Sequence, residues 1–533
     1  MESRFRTISY SNIHQLQIAN LRDFRCSSCP PKQIRRFPKT GRLDAEIATV
    51  ADRLHHVRNA APRYVYFHRF FRMRILSAVE SSLLHQFGQT KRLVAVIVKG
   101  QRDFFLNLED LKENKPNDVA LVAFTPEASK PNQSLAAARC FDSIIHYDDS
   151  TTFGRKFRTF EEIEIPALDP FADELVDIVP KEKICLIHCE EDSISAVCRT
   201  RKRLGLSGAY PEHAHYMCRK NDVFEIAQKG GIPLSKTMEI NFRDDKPIQD
   251  YVQEVTSQIP SFPLFRKPQM LMGLRGVGKI EAKEDLERWI QERLDEKDPE
   301  TYIFQEFATG TEFTVSTVLL QDGSWVPLVV KYVAFEWTHS HCLSTGKPVI
   351  SINEPFELAE KTAFPGIREF ASRVIDTFMP RHPQVFCFQG FQRMKGKDDY
   401  VLSELAYRPA GERVNPLCYD ACGINQYTAL ILSHIDPNYI PKPNPSWKRR
   451  IIAGIWYPQR EGVLMEHSKF PESPQIKGRI TGRWNVAVNE KMEKAKNMGE
   501  MICVMFLESA SDEDRDADIK WIAGNWTPKV QES

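Results

Sequence analysis

No stretch of this 533-residue chain approaches the ~18 to 20 uninterrupted apolar residues that cross a bilayer, so no membrane span is expected. The opening MESRFRTISY also lacks the apolar segment of a secretory signal, and a cytoplasmic setting is the expectation. An excess of one charge is missing too: 72 Lys and Arg meet 71 Asp and Glu, leaving a net charge of +1. Proteins that hold nucleic acid through its phosphates carry a large basic excess, so no nucleic-acid partner is expected. Cysteine is dilute, twelve irregularly placed residues, which fits reduced thiols better than a disulfide framework. Repeats and low-complexity tracts are absent. What is present is a 42% hydrophobic content, ample for real cores, in a chain long enough for several domains or one multi-lobed enzyme.

Residues 1–90 read as an N-terminal extension rich in Arg, His and aromatics. Within it RYVYFHRFFRMRILSAVESSLLHQF (63–87) is amphipathic, suited to packing as a helix onto the next domain in preference to a membrane surface. From 91 to 205 the texture changes. RLVAVIVKG, DVALVAFT, DSIIHY and KICLIHCEED are apolar runs of strand length alternating with helical stretches, the pattern of a parallel α/β sheet. A helix over 193–208 should stop at Gly205 or Gly208. The region 206–440 holds a helix over 218–230 and a β-rich stretch over 299–350 with a turn at Asp322-Gly323. PKPNP (441–445) reads as a linker to a final α+β unit (441–533) whose strands are RRIIAGIWY, GRITGRW and MICVMFLES.

The residues able to do chemistry fall in one order along the chain. Lys220 opens a helix; Lys267 sits in FRKP, followed by the glycine-rich loop GLRGVGK with Gly273, Gly276 and Gly278. Gln305-Glu306-Phe307-Ala308 leads through Gly310 to Glu312, and Gln392 precedes Glu404 by twelve positions in LSELAYRPAGER. Two ammonium groups, a loop of backbone donors, an acid for a ribose and two hard oxygen ligands are the parts of an ATP and Mg²⁺ site.

In this order of motifs, from about residue 90 to 530, the sequence resembles the ATP-grasp carboxylate–amine ligases, particularly the amino-acid ligase branch. The resemblance implies a multi-lobed α/β and α+β fold. It implies Lys220 and Lys267 on the nucleotide, the three glycines in a covering loop, Gln305 to Ala308 as the adenine hinge and Glu312 on the ribose. It further implies Gln392 and Glu404 as ligands of Mg²⁺, or of Mn²⁺ in its place, and Arg408 as the catalytic arginine that steadies acyl-phosphate oxygens. The partners would be a small-molecule carboxylate and an amine; a homodimer is expected only in that dimers are the commonest assembly of soluble enzymes in general.

One departure is visible: Ala406 stands where the family usually has an Asn that supplies a metal oxygen. An ATP-binding relative without turnover is therefore an alternative reading. A second competitor is a P-loop ATPase, since Gly273 to Lys279 satisfies G-x-x-x-x-G-K, although Ile280 replaces the Ser or Thr that holds Mg²⁺. Cys26/Cys29 has CxxC spacing without a second pair. Cys185, His188, Cys189 and Cys198 read as core residues. His213/His215 and His339/His341, taken as extended segments, read as surface or pocket histidines, and Arg413 neighbours the catalytic stretch.

Overall fold

The computed structural model describes residues 75–100, 108–133, 135–149, 162–242, 246–269, 274–296, 301–411 and 414–532. Most of the N-terminal extension, Cys26/Cys29, Gly273 and Arg413 lie outside them. The described end of the 63–87 stretch is a helix, Ala78–Thr90, opened by a capping box in which Ser77 Oγ accepts from Glu80 N at 3.2 Å.

The first four apolar runs form β1 (Leu93–Val98), β2 (Val119–Pro126), β3 (Ser143–Tyr147) and β4 (Ile184–His188), paired in parallel in the order β3-β2-β1-β4. Every residue of β2 is buried, as a strand covered on both faces requires. One face packs on the helices Ala78–Thr90, Leu168–Ile178 and Glu191–Leu204, the last ending at a left-handed Gly205. The other face meets the helix Gln426–Ile435, which joins this sheet to the largest one.

A second sheet contains β5 (Thr237–Asn241), β6 (Leu264–Pro268), β7 (Gly278–Ile280) and β8 (Thr301–Glu306) in the order β5-β8-β6-β7, antiparallel throughout. The helices Ile248–Gln258 and Lys283–Asp295 bury its apolar face.

The largest sheet draws on β9 (Thr311–Leu319), β10 (Trp325–Val333), β11 (Val349–Pro355), β12 (Gln384–Gln392), β13 (Tyr400–Ala406) and β14 (Ile451–Pro458). After β15 (Gly462–Leu464) it takes β16 (Arg479–Trp484), and after β17 (Lys491–Met492) it takes β18 (Met501–Ser509), giving the order β13-β12-β9-β10-β11-β14-β18-β16. β15, β17 and β19 (Val530–Gln531) make a small third antiparallel group. The strands after PKPNP thus extend the same sheet as β9 to β13. Side-chain alternation divides β9: Phe313 and Val315 enter a core with Phe388, Tyr400 and the helix Ile367–Phe378, while Glu312, Thr314 and Ser316 face the opposite way.

Candidate active site

Cross-strand register builds the site. Glu404 on β13 pairs with Gln389 on β12, Gln389 with Thr314 on β9, Thr314 with Lys331 on β10, and Lys331 with Asn353 on β11. Directly opposite residues share a face, so this polar row runs across five strands on the side away from the phenylalanine core. A register shift between Gln389 and Gly390 leaves Ser403 without a ladder partner in β12, and its carbonyl accepts from Lys267 Nζ at 3.1 Å.

Two cavities meet at this row. The smaller, about 910 Å³ including its mouth, lies between the β5-β8-β6-β7 sheet and β12/β13. It is lined by Lys220, Lys267, Phe265, Gln305 to Ala308, Leu274, Val277 and Glu312. The larger, about 1740 Å³, continues over the sheet face past Thr314, Ser316, Lys331, Ala406 and Arg408 to Trp456. Lys220, Leu274, Glu312, Gln389, Ser403 and Glu404 border both.

Lys220, at the start of the helix Lys220–Lys229, donates to Gln269 O at 3.1 Å, and its Nζ lies 3.7 Å from Glu404 Oε1. Lys267 is buried, with its Nζ 5.1 Å from the centre of the Phe224 ring, and burial pushes its pKa down to about 8. Gln305 Nε2 donates to Thr237 Oγ1 at 2.9 Å, bracing the strand that leads to Glu306, Phe307 and Ala308. Burial opposes ionisation of Glu312, but His339 holds its carboxyl below the ordinary range through its charge and two hydrogen bonds, 2.7 Å from Nδ1 and 2.9 Å from the backbone N. Arg408 Nε donates to Glu191 Oε2 at 2.8 Å, at the first turn of the helix Glu191–Leu204.

Most of the sequence-derived residues converge here, with differences that have physical causes. Gln392 is buried outside both cavities. Its Nε2 donates to Ala363 O and Lys397 O at 3.0 Å each, and its Oε1 accepts from Gly396 N. Its register partners are Tyr400 and Thr311, so it braces a turn, while Gln389 stands beside Glu404. Gly276 and Gly278 shape the loop without lining a cavity: Gly276 has φ +68° and accepts from Arg266, Gly278 begins β7, and Leu274 and Val277 face the space. His339 and His341 open a helix, His339–Thr345, capped by Thr338, where an extended segment was expected.

Lys279 lies within β7, paired with Glu281 at 2.9 Å and 4.8 Å from the Phe307 ring centre. A P-loop needs its Lys at the entry of a helix; here a strand intervenes and the helix starts at Lys283. Ala406 sits opposite Cys387 and lines the larger cavity. Gln389 escaped sequence reasoning, as did His339's grip on Glu312; counting along paired strands from Glu404, instead of along the chain, finds the former.

A Mg²⁺ ion between phosphates typically takes one or two protein oxygens. Glu404 fits, with the Lys220 ammonium already lodged beside it. Gln389 Nε2 donates to Thr314 Oγ1 at 3.2 Å, and among the described residues its Oε1 has no partner. The donor set therefore suits a metal shared with phosphate oxygens, though among the described residues no cluster of three His, Cys, Asp or Glu forms a protein-only site.

A parallel α/β unit, a four-stranded lid and a large antiparallel sheet with a cleft between the last two define an ATP-grasp fold. No family model matches the sequence, and no curated protein matches it. Among solved structures the chain is similar to the L-amino acid ligase from Bacillus licheniformis, with TM-score 0.55 and 15% identity over 83% of this chain and 100% of that one. N5-carboxyaminoimidazole synthetase from Staphylococcus aureus, complexed with ADP, matches at TM-score 0.52 and 11% identity over 81% and 98% of the two chains. Carboxyaminoimidazole ribonucleotide synthase from Aspergillus clavatus, complexed with ATP, matches at 0.50 and 15% over 81% and 97%.

Proposed function

We propose that the protein is an ATP-dependent ligase that joins a carboxylate to an amine, amino acids or amino-acid-derived metabolites in the first instance, releasing ADP and phosphate. The observation that carries this reading is the convergence of Lys220, Gln389 and Glu404 at the wall between the two cavities, with Lys267 of the smaller one bonded to the Ser403 carbonyl in that wall. The smaller cavity takes ATP, with Gln305 to Ala308 along adenine, Glu312 on the ribose hydroxyls, Lys220 and Lys267 on the phosphates, and the loop through Gly276 and Gly278 above them. Glu404 and Gln389 would hold Mg²⁺, which when bound neutralises phosphate charge.

A carboxylate oxygen in the larger cavity attacks the γ-phosphorus and stays bonded to it as the acyl phosphate, the bond from the γ-phosphorus to the β–γ bridging oxygen breaks, and ADP leaves with the bridging oxygen. The amine nitrogen then attacks the acyl carbon, phosphate departs, and the amine loses a proton. Lys267 and Arg408 meet the charge that builds on phosphoryl oxygens, and a closed loop over Leu274 keeps water from the acyl phosphate.

The test is turnover with ATP, Mg²⁺ and a pooled set of amino acids and related acids and amines. Substrate-dependent ADP and phosphate is expected, abolished in Glu404→Ala with the fold intact. Release of AMP sinks the mechanism, and ATP binding without product favours the non-catalytic reading that Ala406 raises.

A further inference from the structure

The parallel sheet reaches the two cavities through one charged side chain. Of residues 91–205, Ile163 and Glu191 alone line either cavity among the described residues, both of them in the larger one. Glu191 opens the helix Glu191–Leu204, and its carboxylate accepts from Arg408 Nε, just past β13 and 217 positions away in sequence.

The base under Glu191 is built from the ends of all four parallel strands. Glu190, the residue before it, is buried; one carboxylate oxygen pairs with Lys99 Nζ and the other accepts from Gly100 N at 2.9 Å, both just past β1. Lys99 N donates to Phe124 O of β2 at 2.9 Å, and Lys99 O accepts from Tyr147 OH of β3 at 2.7 Å. Ser193 Oγ accepts from Cys189 N, which follows β4, at 3.3 Å and donates to Glu190 O at 2.9 Å. A helix start fastened at so many points presents the next side chain, Glu191, from a fixed place. A carboxylate in the first turn is also favoured by the helix dipole.

Arg408 is held on two of its three nitrogens. Nε donates to Glu191 at 2.8 Å and Nη1 to Pro409 O at 2.9 Å, which fixes the plane of the guanidinium. Pro409 is its neighbour in the chain, so Glu191 is the distant anchor. Among the described residues Nη2 has no protein partner, and its two hydrogens are left for an oxygen in the larger cavity, whose wall Arg408 forms. Burial opposes the charge on Arg408, and the Glu191 carboxylate outweighs it and raises the pKa.

We propose that Glu191 is a positioning residue that fixes Arg408 with Nη2 free to meet a phosphoryl oxygen. The parallel sheet then sets the catalytic arginine, although among the described residues it contributes no side chain to the smaller cavity. The inference rests on the ligase reading and deepens it, by adding a residue on which phosphoryl transfer depends without touching the reactants.

Calorimetry on the full chain tests it, with Mg²⁺ and a pooled set of amino acids and related acids present throughout. ADP is titrated with and without fluoroaluminate, which stands in for the phosphoryl group in transfer. Fluoroaluminate is expected to tighten ADP binding to the wild type by about tenfold or more, as donors aimed at developing charge should. Glu191→Gln, which keeps the shape and removes the charge, should reduce that gain to about twofold or less, with the Kd of ADP alone changed by less than about twofold. Glu191→Asp should fall between. Arg408→Ala should lose the gain as well, and adding Glu191→Gln to it should cost nothing more, since the carboxylate acts through the guanidinium. A pair that merely braces the fold would lower the melting temperature and leave the gain intact.

A gain undiminished in Glu191→Gln, or losses that add in the double variant, overturns the positioning role. A wild type that binds ADP with no gain from fluoroaluminate removes Arg408 from the phosphoryl group and overturns it too. A wild type that does not bind ADP defeats the ligase reading itself and the inference resting on it, a result seen before fluoroaluminate is added. Should Glu191→Gln not fold, Glu191→Asp decides, and an undiminished gain there overturns the role.

Discussion

Two glutamines three residues apart on β12 have opposite duties. Gln392 spends its amide on Ala363, Lys397 and Gly396, so Gln392→Ala should cost about 1–3 kcal/mol of stability by leaving buried partners unmet, with Mg²⁺ dependence unchanged. Gln389→Ala should do the reverse, raising the Mg²⁺ concentration for half-maximal turnover about tenfold or more at near-native melting temperature. Metal titrations beside thermal melts separate them, and a swapped pattern would return the ligand role to Gln392. Lys267 gives a pH signature. Its pKa is about 8 in the folded chain against the ordinary 10.5, so the unfolded chain binds the extra proton between those values, and the cost of the buried charge is full below pH 8 and gone by 10.5. Phosphate favours the charged form. The Kd of ATP should therefore rise as pH passes 8, by about tenfold per pH unit at its steepest, and Lys267→Arg should flatten the curve; an unaltered slope in that variant excludes Lys267 from phosphate contact.

At the scale of elements, the β13 bulge at Ser403, opposite Gln389 and Gly390 of β12, is what turns the Ser403 carbonyl toward Lys267. Gly390 makes it possible: a Cβ there would sit 2.3 Å from Val401 O and 2.9 Å from Phe313 Cζ. Gly390→Ala should lower stability by about 1–3 kcal/mol and weaken ATP binding in the same stroke, seen as a lower melting point with a higher Kd. Loss of one without the other would separate the bulge from the site. This bulge also marks where sequence reading stops. β1, β2 and β4 were legible as unbroken apolar runs because a parallel sheet is buried on both faces. The polar row was not, because β13, β12, β9, β10 and β11 neighbour each other out of chain order, and the register shift breaks any count along the sequence. Thr338 is a smaller case: its side chain caps a helix that turns the expected extended HSH segment into a support for Glu312.

Across the whole molecule, a histidine cluster ties the parallel sheet to the large one. His188, ending β4, meets Gln384 at the start of β12 at 2.6 Å, with His434 on the intervening helix and His382 close by. Burial depresses all three, His382 to about 4 and His434 to about 3, with His188 well below the ordinary 6.5. The unfolded chain takes up protons first, so their stability contribution is complete above pH 6.5 and is lost as the pH falls toward 4. The melting temperature should drop steadily over that range, and His434→Leu should make the drop shallower; a flat wild-type profile would refute the coupling.

Leu274 borders the smaller cavity and the larger one alike, with a left-handed backbone at φ +65° two residues before Gly276. A single side chain forming a wall of both rooms makes the two occupants audible to one another. On the ligase reading proposed above, whatever seats itself in one chamber touches the wall of the next, so ATP consumption and bond formation would share one boundary and keep a common count.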